Sequence, residues 1–334
     1  MKIFITGVAG FLGSHLADLM ISEGHSVAGN DNMIGGYTDN VPQNVEFYQI
    51  DCCDLENMTK AMEGCDVVYH TAATAYEGLS VFSPVLVTRN IFEASVATIT
   101  AAIRNKVKRI VYCSSMARYG HHDNVPYKED YECRPQDPYG IAKKAGEDVL
   151  INLCETHGVE YVIAVPHNIV GPRQKYDDPF RNVMSIMLNR MLQGKQPIVY
   201  GDGKQQRCFS YIDDCLYCLN ALAFQDNVVG EVINIGPDEE PVTINELAEA
   251  CANETGLNLD PIHHKDRPKE VKLATCSSDK ARKLLDYQTS TNMRQAVKKT
   301  AEYIRTRGTK KFQYHLPLEI INEHTPDTWK KKLI

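Results

Sequence analysis

The amino-acid sequence predicts an α/β fold built on a doubly wound parallel sheet, with a smaller α/β part interleaved into it. Three observations predict this class. Short apolar strands alternate with helical stretches through the first half of the chain, which is typical of parallel sheets covered by helices. A glycine-rich turn, Gly7 to Gly13, follows the first strand, and an acidic residue, Asp31, follows the second.

Composition and charge narrow the class of protein. The chain has 334 residues, of which 43% are hydrophobic and 24% charged, as in ordinary globular proteins of about two domains. Its formal net charge of −7 gives no general attraction to nucleic acid or to an anionic membrane. The sequence has no apolar run of about 18 residues, and glycine interrupts its first residues too early for a secretory signal. We therefore expect a cytoplasmic protein with neither nucleic-acid nor membrane partners.

Eleven cysteines are scattered along the chain. An odd number in a long chain without a secretory signal predicts free thiols in a reducing compartment. Cys215 and Cys218 form one CxxC pair, but no second pair at zinc-ligand spacing accompanies it. Because the pair lies in an apolar, helical stretch, core packing is favoured, and the sequence predicts no metal site.

The first half of the chain divides into alternating elements. Strands are expected at 2–6, 25–29, 45–50, 65–71 and 108–114, and helices at 14–23, 54–63 and 85–106. Ligands of doubly wound sheets bind beside the carboxyl ends of the strands. The residues that follow or close these strands are therefore expected to line one crevice: Gly7, Asp31, Asp51, Thr71 and Ser115.

The glycine turn and Asp31 together predict a dinucleotide site. Gly7, Gly10 and Gly13 let the backbone approach a pyrophosphate that rests on the N-terminus of the following helix. The Asp31 carboxylate can accept hydrogen bonds from the hydroxyls of the adenosine ribose. Because a carboxylate in this position would repel a 2′-phosphate, NAD is favoured over NADP.

Tyr139 and Lys143 stand four residues apart on a predicted helix and therefore share one face. A phenol titrates at about pH 10, so it can act as a base near neutrality only if its pKa is lowered. A nearby ammonium is the simplest cause of such a shift. An isolated pair of this kind is usually an ordinary surface contact, but the dinucleotide turn upstream favours a role in proton transfer.

These features resemble the extended short-chain dehydrogenase/reductase family, particularly its nucleotide-sugar 4-epimerases. The resemblance rests on the glycine spacing, on Asp31-Asn32 and Asp51, on the serine motif at 114–120 and on the Tyr139–Lys143 pair. It implies a Rossmann-type fold that binds NAD, and a homodimer paired through the helices near 85–106 and Tyr139. It further implies that Tyr139 is the acid/base, Ser115 holds the reacting hydroxyl and Lys143 binds the nicotinamide ribose. The implied cofactor contacts are Gly7, Gly10, Phe11, Leu12, Gly13, Asp31, Asn32, Asp51, Cys52, Ala72, Ala73, Asn90, Tyr139, Lys143 and His167.

The second half of the chain resembles the substrate-binding part of the same family. Two arginines on separate loops, Arg207 and Arg267, suit a diphosphate because each guanidinium offers paired donors. The resemblance implies a nucleotide-diphosphate sugar as substrate, with a UDP-sugar favoured. The implied substrate contacts are Ser115, Asn168, Asn182, Val183, Arg207, Phe209, Arg267 and Glu270.

The predicted domains are interleaved. An NAD-binding domain covers 1–171, with 209–235 returning to it, and a substrate-binding domain covers 172–208 and 236–308. The tail, 309–334, is longer than the core of the family requires. Its apolar residues, Trp329 among them, predict either a segment docked on its own chain or a subunit contact.

Three chemistries share this scaffold: epimerisation, dehydration or decarboxylation through a 4-keto sugar, and net oxidation or reduction. Dehydratases of the family carry Asp-Glu directly after the catalytic residue of the serine motif, and decarboxylases carry glutamate at the second position. This chain has Met116 and Ala117 there, whose thioether and methyl groups cannot transfer protons. The sequence therefore predicts an NAD-dependent 4-epimerase of a UDP-hexose or UDP-N-acetylhexosamine. The alternative is an NAD-dependent nucleotide-sugar 4-dehydrogenase or reductase with net redox.

Two departures from the family pattern bear on this prediction. Arg118 replaces the usual small apolar residue of the serine motif, and the sequence assigns it no role. Ala274 corresponds to the position that gates sugar size, and its small side chain predicts a pocket wider than plain galactose needs. A redox-sensing protein without catalysis is disfavoured, because this chain keeps both Tyr139 and Lys143.

Overall fold

A computed structural model describes residues 1–267 and 272–334 of the chain. Its first half alternates strand and helix, and its second half contains short strands between longer helices. The strands are β1 (Lys2–Thr6), β2 (Ser26–Asn30), β3 (Val45–Tyr48), β4 (Val67–His70), β5 (Arg109–Cys113), β6 (Glu160–Pro166), β7 (Ile169–Val170), β8 (Ile198–Tyr200), β9 (Gln206–Arg207), β10 (Ser210–Tyr211), β11 (Val232–Ile235), β12 (Val242–Thr243), β13 (Ile262–His264) and β14 (Leu273–Ala274). The α-helices are α1 (Phe11–Ser22), α2 (Leu55–Ala61), α3 (Glu77–Ser80), α4 (Pro84–Thr88), α5 (Ala94–Arg104), α6 (Pro138–His157), α7 (Val183–Met191), α8 (Ile212–Phe224), α9 (Ile244–Thr255), α10 (Asp279–Leu285), α11 (Met293–Arg307) and α12 (Asp327–Lys330).

The central sheet has seven strands in the order β11-β6-β5-β4-β1-β2-β3. Every neighbouring pair in it is parallel. Consecutive strands wind outward from β1 in both directions, so the carboxyl ends of β1, β2, β4 and β5 meet at one edge. This confirms the predicted doubly wound parallel sheet, and the bounds of the five predicted strands agree with the observed ones to within two residues.

Side-chain alternation along the strands divides the core between the two faces of the sheet. In β1, Ile3 and Ile5 belong to one buried cluster, and Phe4 belongs to the other. The central strands β4 and β5 are buried along their whole length. Near-continuous apolar strands of this kind are expected where helices cover both faces.

The long helix predicted at 85–106 is not continuous. It consists of α4, a π-helical turn at Arg89–Glu93, and α5. The π turn accommodates one extra residue in the helical path, and it packs against α6. The periodicity of the sequence predicted the helical path but not this interruption, because apolar residues continue through the turn.

The second half of the chain alternates between the central sheet and a smaller part. Helix α8 packs against α1, and β11 forms the outer strand beside β6. Helices α7, α9 and α11 pack on one another, and the short strands pair as β8 with β13 and as β9 with β12 and β14. The residue bounds assigned to the two domains stay a prediction.

The tail, 309–334, folds back onto its own chain. Its side chains join a third apolar cluster, here called the tail cluster, which consists of Tyr76, Leu79, Phe82, Phe180, Leu316 and Trp329. All eleven cysteines are free thiols, and Cys215 and Cys218 are buried in α8. In the part of the chain that the structure describes, no helix has both the length and the apolar character needed to cross a membrane.

Candidate active site

One long cleft runs along the carboxyl ends of the central strands, and its first wall is the glycine turn. Gly7 has a left-handed φ of 71°, and its carbonyl oxygen accepts a hydrogen bond of 3.0 Å from Gly10 N. A Cβ at Gly13 would lie 2.2 Å from that oxygen, so no other residue fits there. Helix α1 therefore begins directly against the turn, with no acidic side chain in its first turn. The exposed backbone donors suit a pyrophosphate.

Asp31 is held at the end of β2 by backbone donors. One carboxylate oxygen accepts from Met33 N at 2.7 Å and the other from Ala9 N at 3.1 Å. Burial raises the pKa of Asp31, and these two hydrogen bonds oppose the rise. Each oxygen keeps a lone pair that a ribose hydroxyl can use, so the geometry fits the predicted ribose contact.

Asp51 stands beside Asp31 on the adenosine side of the cleft. It accepts from Asn32 Nδ2 at 3.1 Å and from Cys53 N at 2.8 Å, and Arg89 lies 3.5 Å away. Burial alone would raise the pKa of Asp51, but these partners outweigh it and the pKa is lowered. The carboxylate is therefore ionised near neutral pH and oriented for a polar ligand.

The π turn places Asn90 in the cleft. Its side chain is 8% exposed and donates from Nδ2 to the Thr74 hydroxyl at 3.0 Å. Predicted cofactor residues on neighbouring segments line the same stretch: Cys52, Ala72 and Ala73. The interruption of the helix thus falls where the site needs a buried polar side chain, as is common for π turns.

Ser115, Tyr139 and Lys143 meet at the middle of the cleft. Ser115 follows β5 and accepts from Ala117 N at 3.2 Å, which leaves its hydroxyl proton free to be donated. Tyr139 and Lys143 lie on successive turns of α6, which begins at the cap Asp137 with a 2.8 Å hydrogen bond from Gly140 N. A Cβ at Gly140 would lie 2.7 Å from Ala117 O, so the helix packs directly on the serine turn.

The electrostatics of this cluster differ in one respect from the sequence interpretation. Burial raises the pKa of Tyr139 above its ordinary value, and a hydrogen bond from Ser115 and the charge of Arg181 only partly oppose the rise. The Lys143 ammonium donates to Cys113 O at 2.7 Å, and burial lowers its pKa to about 8. The sequence interpretation expected the Lys143 ammonium to lower the pKa of Tyr139, whereas this pKa is raised and the groups that oppose the rise are the Ser115 hydroxyl and the Arg181 cation.

A buried ion pair fixes the serine turn to α6. Arg118 Nη2 lies 2.9 Å from Glu147 Oε2, and both side chains are less than 10% exposed. Ser114 donates its hydroxyl to the other carboxylate oxygen of Glu147. Burial raises the pKa of Glu147, and the Arg118 charge opposes the rise. Arg118, for which the sequence suggested no role, thus positions Ser115 against Tyr139.

The predicted substrate residues line the far end of the cleft. Asn168 and Asn182 both adopt a left-handed backbone, with φ of 45° and 69°, which asparagine tolerates better than most residues. Asn168 donates to Cys208 O at 3.0 Å, and Asn182 precedes α7, which begins at Val183. Phe209 lines the same region.

The two arginines approach this end from separate segments of the chain, Arg207 from a short strand and Arg267 from a loop. Arg207 lies in β9 and donates to Gln206 O at 2.7 Å. The Arg267 guanidinium stacks 4.9 Å from the centre of the Tyr200 ring, and both side chains line the cleft. Glu270, predicted as a substrate contact, lies outside the described residues.

His167 is the predicted cofactor residue that the structure does not place in the cleft lining. Its neighbours Pro166 and Asn168 line the cleft, but His167 is 1% exposed and its Nε2 pairs with Pro237 O at 2.9 Å. Its ring packs against Gly236. The side chain therefore holds β6 against the loop after β11, and only neighbouring residues reach the ligand region.

Several cleft residues have no signature in the sequence. Glu77 and Arg181 both act on the Tyr139 pKa, the first raising it and the second lowering it. Tyr76 and Phe180 line the cleft beside them, and so does Trp329 from the tail. Each lies on a segment whose position depends on long-range packing. The sequence hints at only one of them, because the tail is longer than the core of the family requires and contains a tryptophan.

A parallel sheet with a glycine turn, a ribose-side carboxylate and a Ser–Tyr–Lys cluster at its strand ends defines a dinucleotide-dependent enzyme. The chain belongs to the NAD-dependent epimerase/dehydratase family, whose model matches residues 3–236. This confirms the predicted family and NAD as the cofactor. The backbone donors at the start of α1 and the ionised carboxylate of Asp51 suit this cofactor.

The known proteins that are similar to this chain include epimerases and a decarboxylase. A solved UDP-glucose 4-epimerase of Thermotoga maritima with UDP-glucose is 31% identical, has a TM-score of 0.86 and covers 92% of this chain and 99% of its own. A UDP-N-acetylglucosamine 4-epimerase of Methanobrevibacter ruminantium, solved with UDP-N-acetylmuramic acid, is 27% identical, with a TM-score of 0.85 and the same two coverages. A UDP-N-acetyl-alpha-D-glucosaminuronate decarboxylase of Bacillus cytotoxicus is 29% identical over 91% of this chain and 98% of its own.

The Arg118–Glu147 pair yields a stability prediction. Arg118→Met leaves a buried carboxylate without its partner, so we expect the free energy of unfolding to fall by about 3–5 kcal/mol. The matched double variant Arg118→Met/Glu147→Leu removes both charges and should lose clearly less. Denaturant unfolding measures both values. A loss below about 1 kcal/mol, typical of exposed pairs, would contradict the positioning role.

Proposed function

We propose that this chain is an NAD-dependent nucleotide-sugar 4-epimerase that acts on a UDP-hexose or UDP-N-acetylhexosamine through a transient 4-keto intermediate. The observation that supports it most is the convergence of Ser115, Tyr139 and Lys143 between the dinucleotide turn and the two arginines. Tyr139 removes the proton of the sugar C4 hydroxyl, and Ser115 holds that hydroxyl by a hydrogen bond. NAD, when bound, supplies the acceptor and later the donor of the C4 hydride.

The remaining residues of the chain orient the substrate and cofactor. Lys143 binds the nicotinamide ribose, and its charge favours the phenolate form of Tyr139. Arg207 and Arg267 bind the diphosphate from two sides. Because both faces of C4 must meet the same hydride donor, the keto sugar has to rotate within the cleft. The small side chain of Ala274, buried in the cleft lining, leaves room for that rotation and for an N-acetyl group.

The serine turn supports epimerisation over elimination or decarboxylation. Met116 and Ala117 line the cleft directly after Ser115, and neither side chain can donate or accept a proton. Glu77 is a carboxyl that also lines the cleft, but it is the first residue of α3 and lies outside the serine motif.

We further propose a cytoplasmic homodimer. Val85 on α4 and Ile141 on α6 are 72% and 54% exposed, and α4 packs on α6. These two apolar side chains lie on the helices through which pairing is predicted. A sedimentation mass equal to one chain would contradict the dimer.

Product analysis tests the reaction. Incubation of the NAD-loaded enzyme with UDP-glucose, UDP-N-acetylglucosamine or UDP-glucuronate should yield the C4 epimer of at least one of them, without net accumulation of NADH. The glucuronate belongs in the panel because Arg181 places a cation beside Tyr139. Stoichiometric NADH release would instead favour the net-redox alternative, a 4-dehydrogenase.

Replacement of the acid/base tests its assignment. Tyr139→Phe removes only the phenolic oxygen, so we expect NAD binding to persist and kcat to fall by about 10²- to 10⁴-fold. Glu77→Gln is the matched control: it keeps the side chain's size and should leave kcat within a few-fold. Loss of turnover in Glu77→Gln would indicate a second acid and reopen elimination chemistry.

The pKa of Lys143 predicts the alkaline limb of the pH profile. Its folded pKa is lowered to about 8, so the ammonium is present below that pH and is lost as the pH rises through it. We expect kcat to fall above about pH 8 because the phenolate of Tyr139 then loses its neighbouring charge. Residual turnover of Lys143→Arg should not show this fall, because arginine stays protonated. A wild-type profile that keeps rising above pH 8 would refute this role.

A further inference from the structure

A completely buried histidine lies behind the cofactor end of the cleft. In the register of the central sheet, His70 at the end of β4 stands between Thr6 of β1 and Tyr112 of β5. All three side chains are buried, and none of them belongs to the cleft lining. Burial and the charge of Lys143 lower the pKa of His70 to about 3. The imidazole is therefore neutral, with one nitrogen that donates and one that accepts.

Both ring nitrogens of His70 have a hydroxyl partner. Nδ1 lies 2.9 Å from Thr6 Oγ1, and Nε2 lies 3.0 Å from Ser95 Oγ. The Ser95 hydroxyl donates its own proton to Ile91 O at 2.5 Å. Nε2 therefore carries the proton of the neutral ring and donates it to Ser95, while Nδ1 accepts from Thr6. His70 thus connects the residue before the glycine turn to α5.

From Ser95 the connection continues to α6, the helix that carries Lys143. The Tyr112 hydroxyl lies 3.3 Å from Ser95 Oγ and donates to Lys143 O at 3.4 Å. A Cβ at Gly146 would lie 2.3 Å from that hydroxyl and 3.4 Å from Ser95 Oγ. The glycine therefore lets α6 pack directly on both hydroxyls. The four connected side chains are here called the His70 network: Thr6, His70, Ser95 and Tyr112.

The Tyr112 ring also contacts the Lys143 ammonium. Lys143 Nζ lies 5.3 Å from the centre of that ring, within the range of a cation–π contact, and it donates to Cys113 O at 2.7 Å. The other groups that act on the pKa of Lys143 are Cys113 and Glu147, which raise it, and Arg181, which lowers it. Strand β5 thus holds the ammonium through one aromatic ring and one carbonyl group.

We propose that His70 is a positioning residue, which fixes the Lys143 ammonium relative to the glycine turn through the His70 network. At the turn, the Thr6 hydroxyl accepts from Ala72 N at 3.0 Å, and Ala72 is one of the predicted cofactor contacts. The pyrophosphate site at the turn and the ribose site at Lys143 belong to one NAD molecule, so their separation has to match it. The inference rests on the proposed role of Lys143 and not on the identity of the sugar.

NAD affinity tests the positioning role independently of the sugar. His70→Phe and Tyr112→Phe each remove polar groups of the His70 network and leave the cleft lining unchanged. We expect the Kd of NAD, measured by calorimetric titration of nucleotide-free enzyme, to rise about 3- to 10-fold in each. Because both act through one network, the double variant should bind no more weakly than the weaker single variant. Fold-changes that multiply, or an unchanged Kd in either single variant, would contradict the network.

Conservative and matched variants separate positioning from stability. His70→Gln keeps a side-chain N–H for Ser95 and should recover most of the affinity that His70→Phe loses. If His70→Phe does not fold, Tyr112→Phe decides alone, since it removes a single hydroxyl. The control is Tyr69→Phe, which removes a buried hydroxyl from β4 on the opposite face of the sheet, where it donates to Leu219 O at 3.1 Å. It should lower the melting temperature and leave the Kd within about twofold; an equal loss of affinity would overturn the positioning role.

Turnover gives a second measurement of the same effect. With NAD and the sugar nucleotide saturating, kcat of Tyr112→Phe should fall about 3- to 10-fold, as loss of one hydrogen bond implies, and KM for the sugar nucleotide should stay within about twofold. A rise in KM at unchanged kcat would speak against an effect through Lys143. If the wild-type enzyme converts no sugar nucleotide, the proposed function fails, and the NAD titrations still decide the role of His70.

Discussion

The buried ion pair between Arg118 and Glu147 fixes the relation on which the catalytic end of the cleft depends. Ser115 sits on a turn after β5, and Tyr139 and Lys143 sit on α6, so their mutual distances are set by how the turn meets the helix. Glu147 binds Arg118 on one oxygen and Ser114 on the other. Burying either charge without its partner is energetically costly. Any arrangement that separates the serine turn from the helix is therefore unfavourable.

The parallel central sheet brings residues that are far apart in the sequence close together in space. Residues that follow β1, β2, β4 and β5 meet at one edge because all these strands run the same way. That is why the dinucleotide end of the cleft could be predicted from local patterns. Any side chain at Gly13 would meet the backbone of the glycine turn, and Asp31 follows β2, the strand beside β1. Tyr139 and Lys143 were predictable for the same reason, since helical spacing alone places them on one face.

Other features could not be predicted, because no local pattern encodes them. In the sequence, Arg118 is an isolated departure from the family pattern. Its partner Glu147 stands 29 positions later on α6, and only the packing of the serine turn on that helix brings the two together. Glu77 at the start of α3, Arg181 just before α7 and Trp329 in the tail reach the cleft through long-range packing. The cofactor contact of His167 stays a prediction: its neighbours in the motif line the cleft, whereas its own ring packs against the loop after β11.

The π turn at Arg89–Glu93 limits how the sequence around it can change in length. One additional residue turns all later side chains of a helix by about 100°. Before the turn, Val87 packs in the cluster that contains Tyr139; after it, Ile99 packs in the core under the sheet. Deleting one residue would restore regular helical hydrogen bonding but rotate one of these faces out of contact. Insertions and deletions should therefore be tolerated in the loops around this segment and selected against within it.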